Sequence, residues 1–183
     1  MPQICENLVY ITNNSDPEYM DRDILYSILD KGPKRASAYW FIHIQVTDEP
    51  FTSDYTVESY GTDYVFFVTI RLGFKVPQRV NVYLRQIISD LVATGALPQQ
   101  VRKYSIYKNA TTGSFRFYHI RKTLAPESDI SHLQKLAVRL KYKIRKMAGS
   151  PDKWYGLENS NLVIEYVPLF IRSKHFNPFV KTK

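Results

Sequence analysis

Four basic side chains, Arg71, Lys75, Arg79 and Arg85, fall within "RLGFKVPQRVNVYLRQI" (71–87), a stretch with no acid. That pattern suits recognition of an anion. Guanidinium groups pair phosphate oxygens bidentately and stack on planar bases. Phe74 adds a flat face for a base, and Asn81 adds an amide. The stretch reads as a strand end, a tight turn and a helix start. A helix start offers free N–H groups and partial positive charge to a phosphate. Arg71, Phe74, Lys75, Arg79, Asn81 and Arg85 therefore form the candidate ligand site, suited to a nucleotide with about two negative charges. The competing reading is a solvated basic surface with Phe74 in the core. At the level of sequence both stand.

Other chemistries find no support. The chain has neither a G-x-x-x-x-G-K-S/T phosphate loop nor G-x-G-x-x-G, and G-x-S-x-G is missing. Its four histidines, His43, His119, His132 and His175, make no metal-ligand spacing with each other or with Cys5. His43 and His119 read as packed strand residues. Asp21, Asp23, Asp48, Glu49 and Asp54 read as turn and cap residues. Neither an enzyme, a metal site nor a resident cofactor is expected.

The elements that would hold the site follow from periodicity. "NLVYIT" (7–12), "SAYWFIHIQV" (37–46), "SFRFYHIRKTL" (114–124) and "NLVIEYVPLFI" (161–171) predict strands. "YTVESY" and "YVFFVTIRLGF" flank "GTD" (61–63), a hairpin pattern. In 114–124, Phe115, Phe117, His119 and Arg121 share one face, and Arg116, Tyr118, Ile120 and Lys122 the other. "DRDILYSILD" (21–30) predicts a helix with Ile24, Leu25, Ile28 and Leu29 inward and Asp21 as N-cap. A helix over 77–95 takes Pro77 in its first turn. It buries Val80, Leu84, Ile87, Ile88 and Leu91 and ends at Gly95. A third helix, 129–149, carries an apolar stripe and a basic edge of Lys135, Arg139, Lys143 and Lys146. A short extended piece is expected at 104–107. The order β-α-β-β-β-α-β-α-β predicts an α/β, or α+β, layered domain. It would have a mixed twisted sheet of five to six strands and about three helices.

The 183 residues suit one domain spanning 1–183. A single cysteine permits no internal disulfide, which favours a reducing compartment. No apolar run is long enough to span a bilayer, and the N-terminus lacks a signal-peptide pattern, so a soluble intracellular domain is expected. Charge is unevenly spread. Residues 1–70 hold eleven acids and four bases, net −7, and residues 71–183 hold six acids and 21 bases, net +15, which together make the chain's +8. Such polarity implies an anionic partner or a second copy of the chain, with a solvated surface as the alternative.

Taken together, "KRASAYWFIHIQVTDEP" (34–50), "RLGFKVPQRVN" (71–81) and flanking segments from Leu8 to Leu169 resemble the C-terminal cytosolic region of bacterial Kup (KUP/HAK/KT) potassium uptake transporters. The resemblance implies a regulatory domain on the cytoplasmic side of the membrane, attached to a proton-coupled potassium importer whose transmembrane part lies outside this chain. Some members of that family are inhibited by the dinucleotide c-di-AMP, which agrees with the anion-seeking turn at 71–87. A two-fold ligand suits a homodimer. The rival expectations are a dimerisation and docking scaffold on an anionic membrane surface, without nucleotide, and a small RNA-binding protein.

Overall fold

A computed structural model of the chain describes residues 3–102, 106, 112–124, 136, 137, 140 and 150–169. Its elements run β1 (Gln3–Thr12), α1 (Arg22–Leu29), β2 (Arg35–Thr47), β3 (Ser53–Glu58), β4 (Val65–Gly73), α2 (Val80–Ala93), β5 (Phe115–Leu124), the single turn α3 (Pro151–Trp154) and β6 (Leu162–Leu169). Six strands make one sheet in the order β3-β4-β2-β1-β5-β6. All neighbours are parallel except β3 and β4, which are antiparallel. The molecule is thus a layered α/β domain with a mixed sheet, as the element pattern predicts. The helix expected over 129–149 lies almost wholly outside the described residues. So do most of the extended piece at 104–107 and the basic segment after Leu169.

Parallel strands covered on both faces need apolar residues on both. This is why the runs in β1, β2 and β4 are nearly continuous rather than alternating. Val9, Trp40, Ile42, Phe66 and Val68 pack on one face against Leu84, Ile87 and Ile88 of α2. Leu8, Tyr10, Phe41, Phe67 and Tyr118 fill the other, with Ile24 of α1. The strand-wise alternation expected for β5 holds: Phe115 and Phe117 join the α2 face, and Tyr118 and Ile120 the α1 face. The hairpin turn is also as predicted. Tyr60 and Gly61 take positive φ of 50° and 70°, and the Thr62 hydroxyl accepts the Val65 N–H at 3.0 Å.

Both helices depart from expectation in instructive ways. In α1 the buried line is Ile24 and Ser27, with Leu29 64% exposed and Leu25 also facing water. A polar anchor sets that rotation. The Ser27 hydroxyl meets the Tyr10 hydroxyl at 2.9 Å and donates to Glu165 of β6. Asp21 stands at the N-cap position, but its side chain makes no capping bond. Its carbonyl instead accepts the Ile24 and Leu25 N–H groups. Helix α2 buries the predicted stripe, yet starts at Val80, leaving Pro77 in the preceding loop. It closes as expected at Gly95 (φ 76°), where Gly95 and Ala96 donate back to Val92 and Leu91, a Schellman arrangement.

The connections also define a direction. From β1 the chain moves through α1 to β2 on one side, and later from β4 through α2 to β5 on the other. The winding therefore reverses between β1 and β5. In open α/β sheets such a switch point, at the carboxyl ends of the strands, is where a ligand crevice opens.

Candidate functional site

The predicted basic turn leaves β4 at Gly73. A side chain there is impossible: a Cβ would stand 2.3 Å from the Glu49 carbonyl oxygen. That close approach lets the Gly73 N–H donate to Thr52 (2.7 Å) and the Lys75 N–H to Pro50 (3.1 Å). The two loops 49–52 and 73–75 are thereby clamped side by side. The clamp brings Phe51 and Phe74 both within reach of Lys75. Lys75 Nζ lies 5.6 Å from the Phe51 ring centre and 6.0 Å from that of Phe74. Both rings stay in water, 73% and 60% exposed. Arg79, also exposed, follows at the start of α2. Phe74 is therefore a surface residue, not a core one, and sequence reasoning missed its partner Phe51.

The remaining predicted residues do not join this group. Arg71 Nε bonds Asp54 of β3 at 2.5 Å, and the carboxylate raises the guanidinium pKa through that hydrogen bond. Both partners are exposed, so the pair adds little stability, but it does neutralise Arg71. Asn81 donates from Nδ2 to the Ser160 hydroxyl at 3.1 Å. Arg85 donates to Asn81 Oδ1 and Thr112 Oγ1, both at 3.2 Å, and stacks 4.8 Å from the Phe115 ring centre. Phe115 belongs to β5, which stands three strand spacings from β4, about 14 Å. Arg71 and Arg85 thus point to opposite sides of the sheet, and the six residues do not close on one ligand.

Helix α2 is also less open to an anion than expected. Its first N–H, that of Val80, donates to the Tyr155 carbonyl at 3.1 Å. The Val82 and Tyr83 N–H groups donate to the Arg79 carbonyl. Beside these three bonded N–H groups stand two exposed side-chain charges, Lys75 and Arg79, and two exposed rings.

A second polar assembly, legible nowhere in the sequence, sits near the amino ends of β1 and β5. Asn7 and Gln100 exchange amide hydrogen bonds: Nδ2 to Oε1 at 2.6 Å and Nε2 to Oδ1 at 2.8 Å. Trp40 Nε1 donates to Asn7 Oδ1 at 2.9 Å, and the Gly113 N–H to Gln100 Oε1 at 2.9 Å. Arg102 donates to the Thr112 and Gly113 carbonyls at 3.0 and 2.8 Å, which brings it close to Arg85. Burial and the neighbouring Arg102 together push the Arg85 guanidinium pKa down. Gln100 and Arg102 of this assembly line a cleft of about 970 Å³, together with Cys5 and Glu6. Burial pushes the Cys5 thiol up to about 11, so it stays protonated and unreactive. For Glu6, burial opposes the charge, but hydrogen bonds from the Ser114 hydroxyl and N–H, with help from Arg102, hold the carboxyl below its usual range.

The switch-point crevice is of a third kind. Asn14 and Asp16 cap their own loop by hydrogen bonds to the Asp16 and Glu18 N–H groups, and Lys122 pairs with Asp23 at 2.5 Å. Its carboxylates disfavour an anion there. Among the described residues no group of three or more His, Cys, Asp or Glu side chains could hold a metal ion, and no helix is long and apolar enough to cross a membrane.

Comparison with known proteins adds an independent line. Residues 6–167 match the family described as K+ potassium transporter C-terminal domain. The chain is 45% identical over 172 residues to a "Probable potassium transport system protein Kup" of Clostridium perfringens (strain SM101 / Type A), an alignment covering 94% of this chain and 26% of the relative. It is 46% identical over 173 residues to "Probable potassium transport system protein Kup 1" of Bifidobacterium longum (strain NCC 2705), covering 94% and 29%. Against the Kup protein of Enterococcus faecalis (strain ATCC 700802 / V583) the identity is 42% over 183 residues, covering 100% and 27%. The chain spans about a quarter of the length of the curated relatives it matches. No solved structure matches it.

Proposed function

Because the chain belongs to the family of K+ potassium transporter C-terminal domains, we propose that it regulates a Kup-type, proton-coupled potassium importer from the cytoplasmic side of the membrane. The domain acts as a homodimer and binds the cyclic dinucleotide c-di-AMP at the loop pair carrying Phe51, Phe74, Lys75 and Arg79. One observation carries the ligand reading. Two large rings stand 73% and 60% exposed, on loops clamped at Gly73, with Lys75 Nζ 5.6 and 6.0 Å from their centres. Rings so placed are ready platforms for adenine, and the two cations can meet phosphate. Ligand would favour one arrangement of the paired domains and so bias the attached transport unit, by no more than its differential affinity for the two arrangements.

Calorimetric titration of the chain with c-di-AMP tests this. The expected result is binding that weakens as salt rises. Phe74→Ala should lower affinity about 5- to 150-fold, the stacking share of one base, with the unfolding midpoint unchanged. Arg79→Ala should also weaken binding without unfolding the domain. Titration with no heat and no thermal shift refutes the ligand reading. Flotation with anionic but not neutral vesicles would then favour the scaffold role instead.

A further inference from the structure

Two arginines from different segments, Arg85 of α2 and Arg102 beyond it, anchor on one residue. Arg85 Nη1 donates to the Thr112 hydroxyl at 3.2 Å, and Arg102 Nε to the Thr112 carbonyl at 3.0 Å. Asn81 Oδ1 holds Arg85 Nε, and the Gly113 carbonyl holds Arg102 Nη2. The seat is firm. Thr112 and Gly113 are buried, and a Cβ at Gly113 would stand 2.4 Å from the Glu6 Cβ and 2.7 Å from Gln100 Oε1. The segment therefore lies flush against β1.

Every group that holds these two guanidiniums is neutral: a hydroxyl, a side-chain amide, two backbone carbonyls and, for Arg85, the Phe115 ring. Among the described residues neither arginine forms an ion pair. Glu6 feels the charge of Arg102, but its Oε2 is taken by the Ser114 N–H and hydroxyl. Two like charges thus share one seat without a counter-charge, and the pKa of Arg85 is pushed down by burial and by Arg102. Donors are left over. Arg85 Nη2 and Arg102 Nη1 make no hydrogen bond among the described residues, and the Thr112 hydroxyl, an acceptor for Arg85, keeps its own proton to give.

We infer that Arg85, Arg102 and the Thr112 hydroxyl form a second anion site, one for a doubly charged phosphate group, either inorganic phosphate or a phosphomonoester. Charge and donor count select that class. Two guanidiniums match a dianion. A phosphomonoester carries a charge of about −1.5 to −2 near neutral pH and offers three strong acceptor oxygens, one for each free donor. A carboxylate or a phosphodiester brings a single negative charge. Arg102 also lines the cleft of about 970 Å³, so the organic part of a monoester has room beside the pair. The site is separate from the loop pair at Gly73, because the Phe115 ring beneath Arg85 belongs to β5, three strands away from β4.

Two-dimensional NMR of the chain tests it, with potassium phosphate replacing potassium chloride at constant ionic strength. The expected result is a saturable shift of the Thr112 and Gly113 amides and of the Arg85 and Arg102 Nε–H signals. Arg85→Gln should weaken that binding about tenfold or more, the share of one charged donor. Arg102→Gln should weaken it too, but it also frees two carbonyls, so Arg85→Gln, on the exposed side of α2, is the deciding variant. Lys75→Gln should leave phosphate binding unchanged, and Arg85→Gln should leave c-di-AMP binding unchanged, so this site and the nucleotide reading fail separately. AMP is the organic probe and adenosine its control. AMP binding more tightly than phosphate, with adenosine inert, supports a monoester reaching into the cleft, and equal affinities support the free ion. Phosphate shifts no larger than those in chloride, or a phosphate affinity that survives Arg85→Gln, overturn the site.

Discussion

Replacing Asn7 by alanine tests how the cleft is held. Asn7 is fully buried and makes three side-chain hydrogen bonds, two with Gln100 and one from Trp40 Nε1. Alanine removes the carboxamide oxygen that accepts the fully buried Trp40 indole N–H. It also orphans the Gln100 amide N–H, while Gln100 Oε1 keeps the Gly113 N–H. Each buried donor left without a partner costs about 1–3 kcal/mol, so the two together cost about 2–6 kcal/mol. For a domain of this length that lowers the melting midpoint by about 4–24 °C. Urea unfolding followed by tryptophan fluorescence measures the loss directly. Gln100→Ala and the double variant complete a cycle. The two changes should be strongly non-additive, because the first has already broken the pair. A single-variant loss under about 1 kcal/mol, or strict additivity, would refute the claim that this amide exchange ties the 97–100 segment to β1.

Two further outcomes follow from the charged groups. Glu6 has a carboxyl pKa below its ordinary value in the folded chain. Its stabilising share is therefore present above about pH 4.3 and is lost as pH falls through the lower folded value. Glu6→Gln should flatten the acid limb of the melting-temperature profile while leaving its neutral plateau lower, and an unchanged acid limb would count against the Ser114 contact. On the other face, Glu165 accepts from Lys34 at 3.3 Å with both side chains nearly buried. Glu165→Ala leaves the lysine ammonium with oxygens of Ser27 and Gly32 but without its carboxylate and should cost about 3–5 kcal/mol, whereas Glu165→Leu with Lys34→Met should restore most of it. Denaturant midpoints of the three chains decide this, and an equally unstable double variant would refute it.

Much of the architecture was legible because strands buried on two faces announce themselves. "SAYWFIHIQV" and "YVFFVTI" are nearly continuous apolar runs of strand length, rich in β-branched and aromatic residues, and the left-handed turn at Tyr60–Gly61 separates a recognisable pair. The rotation of α1 was not legible. Counting apolar positions put Leu25 and Leu29 inside, but the Ser27 hydroxyl, drawn down by Tyr10 and Glu165, turned both outward. A buried polar bond between residues far apart in sequence leaves no periodic trace.

For the ligand site, the local sequence was sufficient to pick out a basic, aromatic turn after β4, and the motifs within 34–50 and 71–81 were sufficient to indicate the family. Residue type and spacing along the chain carry that information directly. Only the tertiary structure decided which of those side chains stand together. Arg71 is spent on Asp54, Arg85 is drawn to Thr112 and the Phe115 ring on β5, and Phe51 comes to share Lys75 with Phe74 from a loop more than twenty residues earlier. The reason is that convergence depends on strand order. Residues fourteen apart on one turn and helix were sent to opposite sides of the sheet, while the Gly73 clamp joined two loops that sequence distance keeps apart.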